Sequence, residues 1–201
     1  MSDAPPGLSQ DVAHRPVRVL AMGGSTRPDS TTERALAMVA DGARGAGADV
    51  EVICGRELML PIYDTETSER ADGAQRLAEA VRRADGLVVV SPGYHGAISG
   101  LVKNALDYFE DLSKDPTPYL HGMAVGCVAV ADGWQAAVTT LHQLRQVAHA
   151  LRGWPTPLGV AVNSGADRLL SAETHDAQQL HLVGEQVVQF ARMYREMNGA
   201  A

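Results

Sequence analysis

From Val17 onward, short β-branched runs alternate with longer segments of helical period, the pattern left by βαβ units laid on one parallel sheet. Strands are expected over 17–22, 49–53, 86–90, 123–130 and 157–162. Helices are expected over about 30–45, 73–84, 101–112, 133–151 and 173–197. The third run, Leu87-Val88-Val89-Val90, is apolar at every position, as a central parallel strand covered on both faces must be. Segments 58–68 and 163–170 carry turn formers and hydroxyls and read as loops.

At 201 residues with 45% hydrophobic side chains, the chain can bury one sizeable core. Residues 1–16 contain Pro5, Pro6 and Pro16 and lack a signal-peptide apolar core, so they read as a disordered tail ahead of a single domain over 17–201, with a cytoplasmic address. A net charge of -7 offers no broad basic surface, which argues against nucleic acid and anionic membrane as partners. No apolar run approaches the roughly 18 residues of a spanning helix. Cys54 and Cys127 lie far apart, indicating neither a disulfide framework nor a zinc cluster, and both are expected to pack as small buried hydrophobes. His142, His149, His175 and His181 fall in helical segments without carboxylates at ligand spacing, so no metal site is expected. No Ser-His-Asp or Cys-His arrangement is placed for nucleophilic catalysis, and no side chain is assigned a catalytic role.

In an open parallel sheet, ligands bind beyond the carboxyl ends of the strands, near the point where strand order reverses. The loops after the first, third and fourth strands therefore carry the expectations. The first runs Gly23-Gly24-Ser25-Thr26-Arg27-Pro28-Asp29-Ser30-Thr31-Thr32, a glycine turn, five hydroxyls and one arginine leading into a helix whose N-cap is among Asp29, Ser30 and Thr31. A phosphate there meets backbone N–H groups at the positive end of the helix, hydroxyl donors and the Arg27 guanidinium. The bland alternative is a hydroxyl-rich cap with a solvated arginine. Neither Gly-x-Gly-x-x-Gly nor a closing Gly-Lys-Ser/Thr is present, which leaves a terminal phosphate monoester, such as that of FMN, ahead of dinucleotides and magnesium nucleotides.

The second loop, Ser91-Pro92-Gly93-Tyr94-His95-Gly96-Ala97-Ile98-Ser99-Gly100, is glycine-punctuated and can bring backbone close to a flat heterocycle, with Tyr94 and His95 at its border. Tyr94 as core cover and His95 as a surface residue is the plain alternative. Lys103 and Asp107, four apart on the next helix, can pair on one face.

Gly24-Ser25-Thr26-Arg27-Pro28-Asp29-Ser30 resembles the Gly-Ser-x-Arg-x-x-Ser phosphate loop of the NADPH-dependent FMN reductase family. Pro92-Gly93-Tyr94-His95-Gly96, running into Gly100-Leu101-Val102-Lys103-Asn104-Ala105-Leu106-Asp107, is similar to that family's Pro-x-Tyr-Asn segment and the Gly-x-Leu-Lys-Asn-Ala-Leu-Asp that follows. Leu60-Pro61-Ile62-Tyr63-Asp64 is similar to its loop after the second strand. The resemblance implies a flavodoxin-like three-layer α/β/α sandwich on a five-stranded parallel sheet of order 2-1-3-4-5. It implies FMN as cofactor, NADPH or NADH as hydride donor, and a homodimer or homotetramer with the flavin near a subunit interface. By carry-over, Ser25, Arg27, Ser30, Thr31 and Thr32 hold the phosphate, Pro92, Gly93, Tyr94, His95 and Gly96 line the ring, and Asp132 and Gly133 approach from the fourth strand. The chain departs from the family where His95 replaces the usual Asn, Ser99 the usual Pro, Val102 the usual Leu, and Thr32 a frequent Asn.

The expected activity is hydride transfer from NAD(P)H to FMN and onward to an acceptor: free flavin for a flavin-dependent monooxygenase, a quinone or an azo compound. The rivals are a flavodoxin-type electron carrier and an FMN-binding sensor, neither of which oxidises NAD(P)H directly.

Overall fold

Strand β1, Arg18–Gly23, is buried at every position after Arg18, so it must be sandwiched between helices on both faces. A computed structural model of the chain, describing residues 15–165 and 174–199, shows those helices. Residues 1–14 of the expected tail, 166–170 of the last loop, 171–173 leading into the closing helix, and 200–201 lie outside the described residues. Helix α1, Thr31–Gly45, is capped by Ser30, whose Oγ accepts from the Glu33 amide at 3.2 Å. Strand β2 is Asp49–Cys54, and α2 is Asp72–Arg83. Strands β3, Gly86–Tyr94, and β4, Ala97–Ile98, form a hairpin before α3, Gly100–Asp107. Then come β5, Ala124–Ala131, α4, Trp134–Ala150, β6, Trp154–Pro155, β7, Val160–Asn163, and α5, His175–Gly199.

The parallel strands lie in the order β2-β1-β3-β5, followed by β6 and β7, which both pair with β5. Counting β6 and β7 as one interrupted strand, this is the expected 2-1-3-4-5 order, and the fold is flavodoxin-like. On one face, Val19, Val88 and Val128 pack against α1 and α5 through Leu36, Val39, Leu180 and Val183. On the other, Leu20, Leu87 and Cys127 pack against α2, α3 and α4 through Leu77, Val102 and Leu144. Each buried aliphatic side chain contributes about 1.5–3 kcal/mol, so the two clusters supply the main driving force.

Four local expectations are corrected. The third strand does not stop at residue 90, because Ser91 and Pro92 keep their register beside Ala129 and Val130 of β5. The helix expected over 101–112 tightens into a 3-10 turn from Tyr108 to Leu112. The fifth strand breaks at residues 156–159, where Arg145 donates to the Thr156 carbonyl at 2.8 Å. Cys54 is partly exposed at the end of β2 rather than buried.

At the amino ends of the strands, Asp85 accepts from both guanidinium nitrogens of Arg15, at 2.8 and 2.9 Å, and from the Arg18 amide at 2.7 Å. Arg195 of α5 also donates to it. Burial pushes the Asp85 carboxyl up, but Arg15, the Arg18 amide and Arg195 outweigh it and hold it below its ordinary 3.8. The Arg70 fork likewise holds Asp111 low. Both groups bind protons more tightly in the unfolded chain. Their contribution is therefore complete above the ordinary carboxylate range and is lost as pH falls through the depressed values. Urea unfolding should show a midpoint that is flat from about pH 7 to 5 and falls steadily toward about pH 3.

Candidate functional site

The turn that opens the site is dictated by crowding. Gly23 has φ +133°, and a Cβ there would sit 1.9 Å from the Val90 carbonyl oxygen, so only glycine lets β1 leave the sheet beside β3. The Gly24 amide donates to that same carbonyl at 3.0 Å. The chain then rises into the hydroxyl loop, where Ser25 Oγ accepts from the Arg27 amide at 3.2 Å.

At the start of α1, Ser30 Oγ takes the Glu33 amide and the Ser30 carbonyl takes the Arg34 amide. The amides of Thr31 and Thr32 find no acceptor among the described residues, as the first turn of a helix leaves them. The Arg27 guanidinium has no ion-pair partner among the described residues, although arginines elsewhere on the surface pair with carboxylates. Thus a cation, two open amides and the hydroxyls of Ser25, Ser30, Thr31 and Thr32 converge at one helix end.

These groups form one wall of a cavity of about 350 Å³ at the carboxyl ends of β1, β3 and β5. Pro92, Gly93 and Tyr94 form a second wall, and Val130, Ala131 and Asp132 a third. Of the residues expected at the site, Ser25, Arg27, Ser30, Thr31, Thr32, Pro92, Gly93, Tyr94 and Asp132 are brought together here. His95, Gly96 and Gly133 are not on the lining. His95 and Gly96 form the two-residue turn between β3 and β4, with φ of 54° and 77°, the backbone of a type I′ hairpin. That conformation favours Asn and tolerates His, which gives a backbone reason for the residue pair found at this position.

Gly133 caps α4, and its amide donates to Asn163 Oδ1 at 2.9 Å, which also accepts from the Gly165 amide at 3.0 Å. Asn163 thereby ties the loop after β5 to the loop after β7 and brings Ser164 onto the cavity lining. Neither residue is legible as a site group from sequence, since the loop after the last strand carries no glycine or cation signal before Gly165. Thr26 also joins the lining.

Ser99 has a defined role that the usual Pro could not fill. Its amide donates to Ser91 Oγ at 3.1 Å, and its own Oγ caps α3 by accepting from Val102. Asn104 and Tyr108 hold the loop after β2: Asn104 Nδ2 and Tyr108 OH donate to the Pro61 carbonyl at 2.9 and 3.0 Å, and Asn104 Oδ1 accepts from the Tyr63 amide. Lys103 and Asp107 pair as expected.

No thiolate is on offer. Burial and the carboxylates of Glu57 and Glu33 push the Cys54 thiol up, and burial pushes Cys127 up to about 12. A larger hollow of about 490 Å³ lies at the opposite, amino ends of the strands. Its charges are already paired, Arg82 with Asp115 and Arg195 with Asp85. No helix among the described residues is long and apolar enough to cross a membrane.

An NADPH azoreductase from Bacillus sp. (strain OY1-2) is 29% identical over 129 residues, a match spanning 64% of this chain and 66%, just under two thirds, of that protein. An FMN reductase (NADPH) from Pseudomonas aeruginosa is 28% identical over 148 residues, 72% of this chain and 76% of its own length. Among solved structures, RosB with a bound formylriboflavin phosphate intermediate superposes with a TM-score of 0.73 at 17% identity, covering 90% of this chain and 81% of that one, a likeness of fold. The model of the NADPH-dependent FMN reductase family matches residues 17–167, three quarters of the chain and all three walls of the cavity. The chain belongs to that family.

Proposed function

We propose that this cleft binds FMN and that the protein is an NAD(P)H-dependent FMN reductase acting on a small-molecule acceptor. The observation that carries the reading is Arg27, which has no ion-pair partner among the described residues, beside the open amides of Thr31 and Thr32 and their ring of hydroxyls, an arrangement matched to a phosphate dianion. The rest of the cleft fits the remainder of the cofactor. Thr140 Oγ1 is buried without a hydrogen-bond partner among the described residues, and a Cβ on Gly93 would meet it at 2.6 Å, so the Pro92–Tyr94 wall has no room for a side chain at its centre and presents backbone instead.

When bound, FMN supplies the two-electron chemistry, taking a hydride from reduced nicotinamide and passing electrons to the acceptor. The chain's own residues anchor and orient. Ser25, Arg27, Ser30, Thr31 and Thr32 would hold the phosphate, while Pro92, Gly93, Tyr94 and Asp132 would line the remainder of the cofactor. Fixing both reactants in one geometry is the protein's chief contribution to rate, which agrees with the lack of an assigned acid or base. Quinones, azo compounds and free flavin passed to a monooxygenase are the acceptor classes proposed. Tyr94 on the cleft wall and Trp134 and Val138 on α4 are large apolar side chains left exposed, which supports assembly into two or four copies. A cytoplasmic setting and a single domain over 17–201 complete the proposal.

The test is an absorbance spectrum with FMN, followed by anaerobic NADPH or NADH. Bleaching of the flavin band supports the reductase, binding without bleaching returns the carrier or sensor, and failure to bind overturns the site. Arg27→Ala should weaken FMN binding by about 1.5–3 kcal/mol, roughly ten- to hundredfold, in a fluorescence titration. An unchanged affinity would remove Arg27 from the phosphate site.

A further inference from the structure

The hairpin that walls the cleft is too short to hold itself. Strands β3 and β4 share two register pairs, Gly93 with Ile98 and Tyr94 with Ala97, and a two-stranded ribbon of that size is unstable alone in water. Helix α4 supplies what the ribbon lacks. Gln143 reaches it with both ends of one amide: Oε1 accepts from the Ile98 amide at 3.3 Å, and Nε2 donates to the Gly96 carbonyl at 2.9 Å. One turn earlier on the same face, the hydroxyl of Thr140 lies under Gly93, and that of Thr139 lies 3.3 Å from where a Gly96 Cβ would be. Gln143 itself does not line the cleft, whereas Gly93 and Tyr94 do.

From this geometry we propose that Gln143 is a positioning residue for the reductase reaction: its side-chain amide fixes the height and tilt of the Gly93–Ile98 hairpin over the cleft. The inference rests on reading the cleft as an FMN site. A glutamine suits the task because it matches one carbonyl and one amide at once. Gln143→Met keeps length and helix propensity while removing both bonds. Gln143→Glu keeps the acceptor for Ile98 but sets a second acceptor against the Gly96 carbonyl. Because Gln143 is not on the cleft lining and the phosphate loop keeps its own anchors, FMN affinity is expected to stay within about threefold. Displacement of the hairpin by a fraction of an ångström predicts a loss in kcat of about tenfold, since small errors in reactant geometry act on the transition state.

The experiment compares wild type, both Gln143 variants and Gln146→Met, a change on the exposed side of α4. Hydrogen exchange is measured on FMN-free protein, and FMN affinity, kcat and KM for NADPH on the loaded enzyme. The expected result is lost protection confined to residues 93–99 together with lower kcat in both Gln143 variants, while Gln146→Met behaves as wild type. Wild-type kcat with a loosened hairpin would overturn the proposal by making Gln143 purely structural, and lowered kcat with unchanged protection would overturn the route through the hairpin. Failure of wild type to bind FMN would instead bring down the reading of the cleft, and this proposal with it.

Discussion

Gly23→Ala is expected to cost about 4 kcal/mol or more, a large share of the roughly 5–15 kcal/mol that holds a domain of this kind together. Two penalties act at once. The backbone at φ +133° is a conformation that side chains rarely adopt. The new methyl would also lie 1.9 Å from the Val90 carbonyl oxygen and 2.9 Å from its amide nitrogen. Those atoms belong to the central strand and cannot swing aside as a side-chain tip would. Relief requires β1 and β3 to part, which breaks the Gly24 hydrogen bond and the entry to the hydroxyl loop. Thermal unfolding should show a fall of about 10 °C or more, whereas Gly45→Ala, whose methyl would meet nothing within 4 Å, should be neutral or mildly stabilising. Equal effects from the two would refute the crowding account.

Asp85→Ala is expected to cost about 2–3 kcal/mol, at or just below the range for deleting one member of a buried charge pair, because the cluster is partly buried. Its carboxylate, 15% exposed, serves two arginines and one backbone amide, and Arg195 is equally sheltered. Removal leaves the guanidinium of Arg195 partly desolvated with no anion, and Arg15 loses its anchor. Asp85→Asn should recover part of the loss by retaining one acceptor for the Arg18 amide. Urea unfolding of both variants checks this, and a further signature is available: their stability should depend less on pH below about 5 than that of wild type. A retained acid sensitivity of wild-type size would assign that sensitivity to Asp111 and its neighbours instead.

What could be read from sequence divides along physical lines. Leu87 to Val90 announced a covered parallel strand because burial on both faces leaves no polar position, whereas the alternation of elements gave a parallel sheet without its strand order, which came from the resemblance to the reductase family. The extension to Tyr94 was hidden because Pro92 suggests a break, yet β3 runs through Pro92 in register with Val130 of β5, past the point where its pairing with β1 ends. The hairpin turn at His95-Gly96 was masked in the same way: its flanking strands are too short to show a period. Within the site, Arg27 and the hydroxyls were legible because their types and their position before a helix carry meaning by themselves. Asn163, Ser164 and Gln143 were not, since each acts through a partner remote in sequence, and only the folded chain brings Asn163 to Gly133 or Gln143 to Gly96.

The carboxylate of Asp85 also joins the two extremities of the described chain, for Arg15 near its start and Arg195 near its finish share that single acceptor. The junction lies beside the first residue of β3, whereas the cleft lies beyond its far end, about 23 Å away at 3.3 Å per residue from Gly86 to Gly93. A label or tether fixed at residue 15 or residue 195 therefore sits at the end of the sheet away from the cleft, which continues to face the solvent on the other side of the molecule.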